Sequence, residues 1–294
     1  MTKALRRFFA ILLVASSSAG GPALAEEQAS FADISRIVSI GGALTEIVYA
    51  LGEEKRLVAR DSTSLYPEEA LKLPDVGYMR ALSPEGVLSV NPTGILMIEG
   101  SGPREALDVL KKASVPLVTV PDRYTHEGVV EKIKAVGRAL NVEEKADKLA
   151  VSVDRELAAA EKNASGIKER KRVLFILSMQ GDRILAAGKN TAADGIIKLA
   201  GGVNAVEGFE GYKQLNDEAV GKAAPDVVLM MDRTGNHAAG DDEVFASPAF
   251  AGTPAAANRK LIRMEALYLL GFGPRTAKAA HDLSVALYGD AAAH

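Results

Sequence analysis

Leu82-Ser-Pro-Glu-Gly-Val-Leu-Ser-Val-Asn-Pro-Thr-Gly-Ile-Leu-Met-Ile98 decides the fold, because the chain writes its pattern twice. The second copy is Leu215-Asn-Asp-Glu-Ala-Val-Gly-Lys-Ala-Ala-Pro-Asp-Val-Val-Leu-Met-Met231. Leu82, Glu85, Val87, Pro92, Leu96 and Met97 align with Leu215, Glu218, Val220, Pro225, Leu229 and Met230 at one constant offset of 133, without a gap. An acidic residue closes the apolar run in both, Glu99 and Asp232. Each copy reads as a helix, a proline break and a strand. Two similar α/β lobes are the economical explanation.

Working outward, short apolar runs at 36–40, 56–59, 94–98 and 115–120 are each followed by polar or glycine-rich residues, and helical patterns separate them. Gly52 stands where a helix C-cap glycine belongs. Strand alternating with helix, without hairpin signals, predicts a parallel sheet. Residues 126–165 are helix-forming throughout, with Asn141 as the one interruption; Leu149, Val153 and Leu157 supply the apolar face. The alternation then resumes, with strands at 172–177, 183–187, 226–231 and 260–264, and a helical close at 274–287. The expected fold class is α/β: two Rossmann-like lobes with parallel sheets, residues 26–125 and 169–294, joined by one long interdomain helix, residues 126–168.

The first 25 residues read as a cleavable signal peptide. Lys3, Arg6 and Arg7 precede an apolar stretch from Phe8 to Ala15, and Ala23-Leu-Ala25 is a small-x-small cleavage site. No run approaches the ~20 apolar residues of a membrane span. Cysteine is absent, which removes disulfides, thiolate metal sites, covalent haem attachment and a lipid anchor on cysteine. An untethered protein exported to the periplasm is the expectation. A net charge of −3 leaves no basic footprint for nucleic acid.

Catalytic motifs are missing: there is no G-x-S-x-G, H-E-x-x-H or Walker A, and no G-x-G-x-x-G after a strand. Of the four histidines, His126 opens the long helical region, His281 lies on the last helix, His294 is terminal, and His237 follows a strand end. They form no cluster with carboxylates of the kind that zinc or manganese capture needs. A non-enzymatic capture protein is the expectation, with ligand in a cleft lined by the strand-end loops of both lobes. Within the loop at 73–86, Tyr78 and Arg80 stand two apart, so in extended chain they project to one side. Tyr78 is open to two readings, a packing residue or a hard oxygen ligand for iron. Arg60, Arg123, Arg183, Tyr212 and Arg233 are further strand-end candidates for the cleft, and Tyr66 for its wall.

Several stretches resemble the haem-binding periplasmic proteins of bacterial haemin ABC importers. They are Asp61-Ser-Thr-Ser-Leu-Tyr-Pro67, Leu73-Pro-Asp-Val-Gly-Tyr-Met-Arg-Ala-Leu-Ser-Pro-Glu-Gly86, Ala187-Gly-Lys-Asn-Thr-Ala-Ala-Asp194, Gly211-Tyr-Lys213 and Leu267-Tyr-Leu-Leu-Gly-Phe-Gly-Pro-Arg275. The similarity extends over about residues 34 to 290, and Gly77-Tyr-Met-Arg80 is its most specific part. It implies haem as transported ligand, not catalytic cofactor, with Tyr78 on the iron and Arg80 beside it. Tyr212 and Arg183 follow as haem-binding support. Some relatives add a second-lobe histidine; here residues 177–183 hold none, which leaves Met179, Gln180 or an open position. The resemblance also implies that Glu85 and Glu218 dock a monomeric protein onto an inner-membrane ABC permease with its ATPase. A ferric siderophore or a corrinoid is the alternative cargo.

Overall fold

The computed structural model of the protein describes residues 30–181, 183–232 and 240–289. The expected signal peptide, Arg233, His237 and His294 lie outside them.

The first lobe contains β1 (Ile37–Ile40), α1 (Gly42–Ala50), β2 (Leu57–Arg60), α2 (Pro84–Leu88), β3 (Gly94–Ile98), α3 (Arg104–Lys112) and β4 (Leu117–Val120). Its four strands lie in the order β2-β1-β3-β4, all parallel. Two helices follow, α4 (His126–Ala139) and α5 (Glu143–Ser165). The second lobe contains β5 (Arg172–Gln180), β6 (Arg183–Ala187), α6 (Ala192–Leu199), β7 (Val203–Asn204), β8 (Tyr212–Leu215), α7 (Asp217–Ala223) and β9 (Val227–Asp232). It continues with α8 (Asp241–Ala246), α9 (Pro254–Ala257), β10 (Leu261–Glu265), α10 (Ala266–Leu270) and α11 (Thr276–Tyr288).

The repeat of 133 survives down to single hydrogen bonds. Helices α2 and α7 begin at equivalent positions, as do β3 and β9. Ser83 caps α2 by accepting from Gly86 N, and Asn216 caps α7 by accepting from Ala219 N, again 133 residues apart. Such caps stabilise a helix by about 1 kcal/mol.

The second sheet departs from the expected all-parallel form. Its order is β10-β9-β5-β6-β8, with β7 beside β5; β10, β9, β5 and β7 run parallel, but β6 is antiparallel to both β5 and β8. In the first lobe α1 carries the chain across, so β2 returns parallel to β1. No helix intervenes between β5 and β6, so the chain must turn back on itself. Gly181-Asp182 between two apolar runs is a hairpin signal, and Gly181 takes the positive φ of 56° that such a turn uses. A bulge between Ile176 and Ser178 then shifts the register of β5.

Residues 126–168 are two helices, not one. Asn141, at φ 55°, breaks the run between α4 and α5, and its Nδ2 donates to Phe31 O at 2.9 Å. The two helices pack along each other, with Gly137 so close to Ala146 that an added Cβ would stand 2.2 Å from the alanine methyl. One apolar cluster runs from Ile37, Leu44 and Leu96 through Ile133, Val153 and Leu157 to Phe175, Ile196 and Leu229, and therefore through both lobes. Each such buried side chain contributes about 1.5–3 kcal/mol, so the helices act as shared core.

His126 is a cross-helix bridge. Its Nε2 lies 3.0 Å from Asp154 Oδ1 and its Nδ1 3.0 Å from Glu161 Oε2, both on α5. Only imidazolium can donate to both carboxylates. Burial by itself would lower the pKa, but the bonds to Glu161 and Asp154 outweigh it and the net direction is upward. A raised folded pKa gives stability fully present below the unfolded value of about 6.5 and lost as pH rises through the folded one. His126→Gln should therefore lower the melting temperature at pH 5.5 by an amount equivalent to at most about 1 kcal/mol. Melts at pH 5.5 and 9 should show that difference shrinking.

Candidate ligand-binding cleft

The parallel strands of each lobe end in loops at their carboxyl edge, where open α/β sheets bind ligands. These loops meet between the lobes. Gly42, at the start of α1, lies so close to second-lobe Leu267 that an added Cβ would stand 2.6 Å from its Cδ1. Tyr124, beyond β4, makes an edge-on ring contact with second-lobe Phe272 at 5.4 Å between centroids.

Tyr78 sits in a loop fastened on both sides. Arg60 N donates to Pro74 O at 3.0 Å and Val76 N to Arg60 O at 2.9 Å, so residues 74–76 extend the end of β2. Ser62 N then donates to Gly77 O at 3.0 Å, and Ala81 N closes a turn onto Tyr78 O at 2.8 Å. From the β3–α3 connection, Gly102 N donates to Met79 O and Leu82 N to Gly102 O, both at 2.9 Å. Met79 packs against the apolar clusters of the first lobe. Its neighbours turn outward: Tyr78 is 47% exposed, and Arg80 is exposed as well. Spacing implies an extended chain, but the backbone turns at Met79 and Arg80; Tyr78 and Arg80 are both exposed, and the half-buried methionine between them anchors the turn.

Arg60 works beneath this loop instead of lining a surface. It is buried and its Nη1 donates to Asp75 Oδ2 at 2.8 Å, while Asp75 Oδ1 accepts from Gly77 N at 2.8 Å. One carboxylate thus links a strand-end arginine to the glycine that precedes Tyr78.

Burial raises the pKa values of the Tyr124 and Tyr212 phenols, and at Tyr124 the Asp122 carboxylate adds to the rise; the positive charge of Arg80 opposes it at both without overcoming it. Both phenols therefore stay protonated at neutral pH, while their rings give apolar surface. Tyr212 stands at the start of β8, and the Thr191 side chain, the N-cap of α6, also offsets part of the upward push on its phenol. Sequence reasoning missed Tyr124, although it stands one residue past Arg123 in a loop already identified as a strand end.

The remaining residues divide. Gln180 and Arg183 are exposed at the ends of the β5–β6 hairpin. Met179 is 8% exposed and packs with Ile184, Val206 and Met230 inside the second lobe. The bulge after Ile176 explains this, because it moves Met179 from the face of Phe175 to that of Leu174 and Ile176. Glu85 and Glu218 are exposed, each at the second position of its helix. Tyr66 is 43% exposed and stacks on the Arg275 guanidinium, 3.5 Å from ring centroid to Cζ. Among the described residues there is no group of His, Cys, Asp and Glu that could hold a metal ion, and no helix long and apolar enough to cross a membrane.

This chain belongs to the periplasmic binding protein family, whose pattern it matches over residues 37–267. Among solved structures it is similar to the periplasmic heme-binding protein RhuT from Roseiflexus sp. RS-1, at 40% identity and a TM-score of 0.83 over 89% of this chain and 100% of that one. It is also similar to the periplasmic heme-binding protein BhuT in complex with two hemes, at 41% identity and a TM-score of 0.81 over 87% and 98%. Among curated sequences it is 32% identical to the uncharacterized ABC transporter substrate-binding lipoprotein YvrC of Bacillus subtilis, across 67% of this chain and 63% of that protein. The vitamin B12-binding protein of Vibrio parahaemolyticus is 28% identical over 72% of this chain and 75% of its own length.

Gly77 offers a clean test of the loop. It holds φ at 100°, and an added Cβ would meet nothing within 4 Å. Gly77→Ala should therefore cost about 1–2 kcal/mol through backbone strain alone. Urea unfolding measures it; an unchanged midpoint would mean that the loop relaxes without penalty.

Proposed function

We propose that this protein, exported to the periplasm, captures haem between its lobes and delivers it to an ABC permease and ATPase in the inner membrane. The observation that carries the reading is the presentation of Tyr78, an exposed phenol on a backbone fastened to two strand ends beside a half-buried Met79. Similarity to structures described as heme-binding, at 40% and 41% identity, supports it.

Ferric iron is a hard acid and takes a tyrosinate oxygen readily. A free phenol has a pKa near ~10, so the iron must displace its proton, and a nearby cation favours the resulting anion. Arg80 is that cation, or pairs with a propionate; a charge-assisted hydrogen bond contributes about 1.5–3 kcal/mol. Tyr124 and Tyr212 contribute apolar rings and protonated hydroxyls. Arg183 and Gln180 are proposed as second-lobe contacts. Met179 is left out, since its side chain is committed to the core. The protein binds and releases its cargo without altering it.

Mixing the mature protein with haemin should produce a ferric high-spin tyrosinate absorption spectrum, and Tyr78→Ala should abolish it. No spectral change in the wild type would refute haem as cargo. Glu85 and Glu218 are proposed as one docking contact per lobe, since paired charges set orientation and encounter rate. Glu85→Ala and Glu218→Ala should each slow haem transfer to permease in proteoliposomes several-fold while leaving haemin affinity unchanged.

A corrinoid is the second reading, favoured by the 28% identity to a vitamin B12-binding protein. Such a ligand brings most of its own coordination and does not need a phenolate. Binding of cyanocobalamin by wild type and Tyr78→Phe alike, with haemin ignored, would establish it.

A further inference from the structure

Arg275 stands immediately before α11 in the second lobe, yet its side chain is held chiefly by the first. Its Nη2 donates to Glu46 Oε2 at 2.9 Å, and its backbone N to Glu46 Oε1 at 3.2 Å. Glu46 lies on α1 and is 4% exposed. The flat face of the same guanidinium covers the Tyr66 ring, in the loop after β2. Tyr268, its neighbour within the second lobe, is further off at 5.1 Å. One side chain therefore ties a helix and a strand-end loop of the first lobe to the second.

The preceding residues are tied as well. Lys132, wholly buried on α4, donates to Phe272 O at 3.1 Å and to Asp122 Oδ1 at 2.6 Å. Phe272 holds φ at 50°, unusual for a bulky residue. A residue keeps such a backbone only when its surroundings over-determine it. Here they do, through Lys132, Tyr124 and the close approach of Gly195 to the Phe272 ring. Breaking a buried ion pair leaves an uncompensated charge, so these ties resist any change in lobe separation.

We propose that Arg275 is a positioning residue for capture: paired with Glu46 and stacked on Tyr66, it sets the lobe separation before ligand arrives. The spacing of Tyr78 and Arg80 from Tyr212 is set with it. The proposal rests on the haem reading for its cargo but not for its geometry. A planar guanidinium can stack and pair at once, whereas a lysine can only pair. A cleft already at its working width loses no affinity to ordering. If loosening leaves the competent spacing populated about one-tenth of the time, the apparent Kd rises about tenfold.

The chain has no cysteine, so spin labels go cleanly onto Val109→Cys in α3 and Lys222→Cys in α7, both exposed. Pulsed EPR distances are recorded without ligand in this background, in Arg275→Lys, and in Glu46→Gln with Arg275→Met, which removes both charges together. Circular dichroism melts establish that each variant is folded. The reference should give one narrow distance that haemin leaves unchanged. The double variant should broaden it and bind haemin about tenfold more weakly, with the tyrosinate spectrum of bound haem intact; Arg275→Lys should fall between. Distances as narrow as the reference in the folded variants would overturn the proposal. If neither charge variant folds, Tyr66→Leu removes the stacking alone and is judged by the same broadening. Absence of any haemin signal in the wild type would refute the cargo, and the role of Arg275 would then stand or fall with the ligand-free distances.

Discussion

The backbone hydrogen bonds that fasten Gly77, Tyr78 and Met79 to the ends of β2 and β3 are the constraint on which the site depends. Ser62 N holds Gly77 O from one side, and Gly102 N holds Met79 O from the other. With both carbonyls fixed and Met79 packed half-buried against the core, the backbone that carries Tyr78 is no longer free. A flexible loop carrying the same tyrosine would have to order itself whenever ligand arrived, and that ordering would be subtracted from affinity. The support goes deeper: Arg60 holds Asp75, and Asp75 holds the amide of Gly77. An arginine with the look of a ligand contact in the sequence is instead scaffolding for the loop that carries Tyr78.

The second requirement is that two lobes keep a working distance. A single apolar cluster passes through α4 and α5 into both, which gives cohesion but little directional control, since burial is non-directional. Direction comes from charges placed where the lobes touch: Glu46 with Arg275, and Lys132 with Asp122 and the carbonyl of Phe272. Buried ion pairs are poor sources of net stability, because desolvation offsets much of their attraction. Their value here is geometric, since each is satisfied in only one arrangement.

Much of this architecture was legible in the sequence, for identifiable reasons. The repeat at offset 133 spans helix, cap and strand, and is a local pattern that recurs as local structure. Tyr78 and Arg80 are exposed on either side of a half-buried Met79, as period-two counting suggests, although the backbone there is a turn and not a strand. Asn141 broke the helical run because a positive φ is tolerated there. What escaped was non-local or depended on one residue of register. Glu46 and Arg275 are 229 positions apart, and nothing in either neighbourhood points to the other. Lys132 and Phe272 are likewise far apart in sequence, and no local pattern marks the lysine as buried. Met179 is a candidate in the sequence because residues 177–183 lack the histidine of some relatives, and a register shift in β5, which the sequence does not display, accompanies its placement in the second-lobe core. The hairpin before β6 rests on the two residues Gly181-Asp182 alone, a weak signal beside the strand–helix alternation that the first lobe follows.

The central claim is that the phenolate oxygen of Tyr78 holds the iron of captured haem. Resonance Raman spectra of the haemin-loaded protein, wild type beside Tyr78→Phe, test it most directly, because iron–phenolate vibrations arise only from a bound tyrosinate. The account predicts those bands in the wild type and their loss in Tyr78→Phe. The same bands in both proteins would contradict it and assign the iron to another tyrosine.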